Sequence, residues 1–179
     1  MLRLPRRPVR YLSLLALATG VLLVPAAPAS ADAPVADLDC TITVTVSVDP
    51  PLTPETQHVV TISNGLTGTA DCTGTVNGQA VTGTGSFGVA SSLDVTACVN
   101  ATGDSTFELR VPTTGGTQTV AGRYAFVTVG GATTATGDFT GTITIVAADG
   151  DCFTTPITSA TALFTGHVSV HKLTTNRAS

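Results

Sequence analysis

The stretch TGTADCTGTVNGQAVTGTGSFG, residues 67–88, decides how the rest of this 179-residue chain is read. Threonine and glycine alternate around one cysteine and one phenylalanine. At the centre stands Asn77-Gly78, the dipeptide that best tolerates the two positive φ values of a type I′ hairpin turn. If that turn is taken, facing residues have numbers summing to 155. Val76 then faces Gln79, Gly74 faces Val81, Cys72 faces Gly83, Gly68 faces Phe87 and Leu66 faces Val89. One face of the hairpin carries Thr67, Thr69, Asp71, Thr82, Thr84 and Ser86, and the other carries the glycines opposite bulky partners. An aromatic ring lying over a bare strand backbone is a packing device of bent sheets.

The same test works downstream. A turn at Gly130-Gly131 sets Tyr124 against Gly137, Gly122 against Phe139 and Val120 against Gly141. A turn at Gly115-Gly116 sets Phe107 against Tyr124, Leu109 against Gly122 and Val111 against Val120. Both registers bring glycines and aromatics to one surface, and inward glycines let a sheet curl sharply. Elsewhere TITVTVSV (41–48), STFELRV (105–111), DFTGTITIV (138–146) and ALFTGHVSV (162–170) alternate with period two, and no stretch has helical periodicity. The expected fold is all-β: an antiparallel small barrel of eight or nine strands, or a tightly curled sandwich. Residues 57–76 read as one long strand, because even-numbered positions stay apolar or small across Asn64-Gly65.

The first 31 residues read as a signal peptide. Arg3, Arg6, Arg7 and Arg10 precede the 14-residue apolar run Tyr11–Val24, and Ala29-x-Ala31 is a signal-peptidase pattern. That run is short of the roughly 18–20 residues that span a bilayer. Residues 32–179 then form a single domain that keeps four of the eight basic and all twelve acidic residues, a formal charge of 4 − 12 = −8. So acidic a chain repels phosphate backbones, which argues against nucleic acid, and after cleavage no second apolar segment holds it at a membrane. The protein is expected to be secreted. An even set of cysteines, Cys40, Cys72, Cys98 and Cys152, implies two disulfides in an oxidising compartment. Of the three connectivities, residue parity favours Cys40–Cys72 with Cys98–Cys152.

Chemical motifs are sparse. GTGSFG (83–88) matches a dinucleotide fingerprint in letters only, since it lies within a strand and not between a strand and a helix. His167 and His171 on a strand stand about 13 Å apart, too far to share a metal ion. Glu108, Arg123 and Asp138 are expected to form an outward salt-bridge row with Arg110 beside it. A nucleophile, base and acid could still meet in space, but no local motif points to them, and no catalytic residue, metal or cofactor is assigned. The longest irregular stretches, 49–57 and 147–159, are where loop function would lie.

CTGTVNGQAVTGTG (72–85), GTITI (141–145) and SATALFTG (159–166) resemble the small secreted four-cysteine, Thr/Gly-rich β-proteins of actinobacteria. That likeness implies an exported β-fold and no particular activity. GLTGTAD (65–71) and AGRYAF (121–126) resemble strands of streptavidin, but the chain lacks tryptophan and biotin binding does not carry over. Size, acidity and two disulfides resemble the neocarzinostatin-type apoproteins, whose bridges close shorter loops; this comparison implies ligand carrying without naming a ligand. Two functional readings follow. One is a non-catalytic extracellular protein acting through its surface or loops, with no protein partner named by the sequence. The other is a carrier of a small apolar ligand held by Phe87, Phe107, Tyr124, Phe126, Phe139 and Phe164.

Overall fold

Burial along the first strand alternates residue by residue: Leu38, Cys40, Ile42, Val44 and Val46 are buried while their odd-numbered neighbours are exposed. Each fully buried aliphatic side chain of this kind contributes about 1.5–3 kcal/mol, and β-branched threonine suits the wet side of the pleat. The computed structural model describes residues 35–171. The signal peptide read from residues 1–31 lies outside the described residues.

Ten strands follow in order: β1 (Ala36–Leu52), β2 (Gln57–Ser63), β3 (Gly68–Val76), β4 (Gln79–Ala80), β5 (Gly85–Thr96), β6 (Asn100–Thr113), β7 (Gly116–Val129), β8 (Ala132–Gly137), β9 (Phe139–Ala148) and β10 (Ile157–Val170). Each of β5 to β10 pairs antiparallel with the next, and β10 returns to β1 from Ala36↔Val170 to Ser47↔Ser159. The ring closes between β1 and β5 through two short strands end to end. β2 bridges them at one end and β3 at the other. With β2 and β3 sharing one position and β4 an appendage of β3, the ten strands occupy eight positions around the ring. A barrel of that size has a lumen just wide enough to be filled by side chains or to hold one small ligand.

The hairpin at Asn77-Gly78 forms as its sequence requires, both residues having positive φ (52° and 73°). Val76↔Gln79 and Gly68↔Phe87 pair in the expected register. Gly68 is buried, and a Cβ there would lie 2.9 Å from both the Phe87 carbonyl oxygen and the Val44 Cβ. Val81 N–H donates to the Gly74 carbonyl, the expected partner, and also bridges Thr113; Cys72 does not face Gly83, because residues 82–84 swing out to β6 and the chain rejoins β3 at Ala70↔Gly85. Cys72 pairs instead with Cys40.

Three other expectations are corrected. Residues 57–76 are two strands. Gly65 turns the chain at φ 63°, and Ser63 Oγ donates to the Gly65 carbonyl and accepts from Val89 N–H in place of ladder bonds. Inward parity therefore switches from odd in β2 to even in β3. Val60 and Ile62 are left 44% and 53% exposed, and Val89 does not pair with Leu66. The β6–β7 turn is Thr114-Gly115, because Thr113 Oγ1 donates to the Gly116 carbonyl and accepts from Gly115 N–H. The register moves by two residues, so Phe107 faces Gly122 and Leu109 faces Val120, on the same faces as expected. Finally, β8 ends at Gly137 (φ 133°). Asp138 N–H donates to the Arg123 carbonyl, and the Asp138 carbonyl accepts from Ser169 N–H. Phe139 and Gly141 consequently pair with Val168 and Gly166 of β10, not with β7.

Filling differs along the lumen. One half holds Leu38, Leu109, Val111, Val120 and Val168, all without exposure. Above them Phe87, Phe107, Tyr124, Phe139 and Phe164 form a continuous cluster with centroids 5.5–6.2 Å apart, within the range of favourable ring pairs. A separate small group, Val48, Val59 and Val95, lies toward the opposite end.

Candidate functional site: an apolar cavity beneath a disulfide strap

Between the aromatic cluster and that end lies a cavity of about 350 Å³. All eight ring positions contribute to its wall: the later half of β1, β2, the later halves of β5 and β7, the starts of β6 and β10, β8 and β9. Val46, Val59, Val89, Phe126, Ile143 and Ala162 represent their strands there. Tyr124 and Phe164 also line it, and they belong to the aromatic cluster, which makes that cluster the floor. None of the lining side chains is charged.

Of the six aromatics read as ligand contacts, Tyr124, Phe126 and Phe164 reach the cavity. Phe87, Phe107 and Phe139 do not; they lie beneath, supporting Phe164 and Tyr124. The aliphatic wall was not foreseen as a site. Alternation separates inward from outward positions but does not tell where inward residues fail to fill the lumen. A volumetric signal was nonetheless present: Ser91, Ala101, Gly131, Ala160 and Ala162 point into this half, whereas rings crowd the other.

The deepest polar feature is a cluster of three hydroxyls. Ser105 Oγ donates to Ser91 Oγ at 2.7 Å, and the Tyr124 hydroxyl bonds to both serines. Burial pushes the Tyr124 phenol up to about 12, the hydrogen bonds offsetting only part of the shift. The phenol is therefore neutral at physiological pH.

Both long irregular segments meet at the cavity mouth. Leu52, at the end of β1, pairs with Ile157 and lines the cavity. Cys98, in the β5–β6 turn, is bonded to Cys152 in the β9–β10 loop, and the Cys40–Cys72 bridge also forms. The β5–β6 and β9–β10 junctions are four positions apart on an eight-position ring, so the Cys98–Cys152 bridge crosses the mouth as a strap. Its anchors are backbone-strained: Ala97, Cys98 and Cys152 have φ of 54°, 65° and 67°, a left-handed conformation costly for residues with a Cβ. The strap's loop is organised by two carboxylates. Asp151 accepts from the N–H groups of Phe153, Thr154 and Thr155, and Asp149 from those of Thr158 and Ser159. Hydrogen bonds led by the Thr154 and Thr158 hydroxyls hold both carboxyls below the usual carboxylate range. Around the mouth Val129, Phe153, Ile145 and Val99 are 69%, 66%, 57% and 39% exposed, an apolar rim on an acidic protein.

The outer surface carries polar constellations of lesser promise. The expected Glu108–Arg123–Asp138 row does not form. The shifted register puts Ala121 opposite Glu108, which pairs with Arg110 at 2.8 Å, while Asp138 accepts from the Arg123 backbone N–H. His167 stands between Asp37 (3.2 Å) and Asp39 (3.0 Å) of the neighbouring strand. No His, Cys, Asp or Glu group among the described residues is arranged to hold a metal ion. His58 links Ser92 (Nε2–Oγ 3.1 Å) and Asp94 (Nδ1–Oδ1 2.9 Å), the spacing of a nucleophile–base–acid relay that no sequence motif signalled. The His58 and Asp94 side chains are 60% and 77% exposed. The relay thus lacks the dry, preorganised surroundings on which such chemistry depends.

No protein-family model, curated protein or solved structure matches the chain.

Proposed function

We propose that this is an exported, extracellular carrier that holds one small apolar molecule inside its barrel. The observation that supports this reading is the cavity of about 350 Å³, enclosed by uncharged side chains in a barrel whose other half is filled. Ligand pockets of roughly 300–1,000 Å³ lined by apolar and aromatic groups, with a few placed polar atoms, are the usual form of small-molecule sites. Two disulfides suit an oxidising compartment, and the leader-like first 31 residues supply the route there. The reading of a protein acting through its loops is absorbed by this one, because residues 49–57 and 147–159 both border the mouth.

Native mass spectrometry of protein secreted by its own host tests the proposal. The expected spectrum shows the disulfide-bonded chain with one added small mass, released on collisional activation. A spectrum of the bare chain alone, under conditions that preserve known carrier complexes, would contradict it.

A further inference from the structure

Resting on the carrier reading, we infer that the ligand is uncharged, largely hydrocarbon, and carries one hydroxyl or carbonyl group that is held inward against Ser91 and Tyr124. The lining excludes ions. No lining side chain is ionisable near neutral pH, since Tyr124 is pushed up to about 12. A carboxylate or ammonium entering such a space loses its hydration without gaining a counter-charge, a penalty that keeps unpaired ions out of protein interiors. The described cations are of no help: Arg110 pairs with Glu108 on the outer surface, and Arg123 is exposed on an outward face. Asp149 and Asp151, in the loop bearing the strap, add negative charge near the mouth and disfavour an anionic guest.

The placement of the polar groups fixes orientation. The walls are largely aliphatic, and the polar lining groups away from the turn are Ser91 and Tyr124, with Ser105 bonded behind Ser91, and Thr61, which pairs with Ser91 across β2 and β5. Thr128 and Thr133 bond each other at 2.8 Å beside the Gly130-Gly131 turn, close to the mouth and to water. Each hydroxyl has one proton and two lone pairs. Ser91, Ser105 and Tyr124 can therefore satisfy one another in the empty cavity and still accept from a ligand hydroxyl, or rotate to donate to a carbonyl. Rings of Phe126 and Phe164 beside Tyr124 would flank the body of the guest.

The test uses the disulfide-intact protein and four rigid probes of one shape: naphthalene, 2-naphthol, 2-naphthoate and 2-naphthylmethylammonium, titrated by calorimetry and fluorescence at pH 7. The naphthol is expected to bind about tenfold tighter than naphthalene, the value of one net hydrogen bond at the upper end of its range. Both ions are expected to bind at least 100-fold more weakly than the naphthol. In Ser91→Ala and in Tyr124→Phe the ratio of naphthol to naphthalene affinity should fall to within about twofold. An ion binding as tightly as the naphthol would overturn the inference and leave the carrier reading intact. A naphthol preference that survives both substitutions would overturn the orientation. If no probe binds, the carrier reading fails and takes the inference with it.

Discussion

Tyr124 belongs to two structures at once. Its ring closes the aromatic floor, and its hydroxyl joins Ser91 and Ser105 at the base of the cavity. The raised phenol has a consequence for stability. In the unfolded chain the proton leaves near pH 10, whereas in the folded barrel it is retained to about 12. Because the folded value is the higher, the group's contribution is intact below pH 10 and is lost as pH rises from 10 to 12, about 3 kcal/mol by the upper limit. Tyr124→Phe should cost about 1 kcal/mol at pH 7 through the lost hydrogen bonds. It should also flatten the alkaline loss, so that wild type and variant converge by about pH 11 in urea unfolding. Equal alkaline slopes in the two proteins would place the phenol in contact with water.

At the scale of elements, the two disulfides do different work. Cys40–Cys72 joins residues already opposed in β1 and β3, in the filled half of the barrel. Cys98–Cys152 joins segments that no ladder connects, across the mouth. Their loops of 32 and 54 residues give similar chain-entropy stabilisation, about 4 kcal/mol each. Paired Cys→Ser substitutions should therefore lower the melting temperature comparably. Only loss of the Cys98–Cys152 strap should speed ligand release, read as a rise in the off-rate of naphthalene. A similar acceleration in the Cys40/Cys72 variant would mean that exchange depends on global opening and not on the strap. Both bridges were legible in residue parity. The hairpin at Asn77-Gly78 was equally legible, because the turn dipeptide and the alternation agree on one register. The break at Gly65 and the reversal at Gly137 escaped because alternation of small and apolar residues continues through both. A side-chain hydroxyl (Ser63) and a backbone hydrogen bond (Asp138 to Arg123) redirect the chain there, and neither has a period.

Over the whole molecule, closure followed from sequence because inward glycines opposite rings demand a curled sheet. Gly68 against Phe87, and Phe107 over Gly122, satisfy that demand. The position of the cavity was less legible. It arises from a sum of volumes over eight ring positions, and small inward residues collect in one half only once every register is known. Ligand carrying thus requires an unfilled upper lumen above a closed aromatic floor. Diffraction from crystals of the disulfide-bonded protein under xenon pressure measures this directly, since xenon occupies empty apolar cavities. Xenon is predicted among Val46, Val89, Phe126 and Ala162, with the floor rings unmoved. A lumen without xenon, its volume taken up by inward-turned Phe126 and Ile143 side chains, would contradict the account.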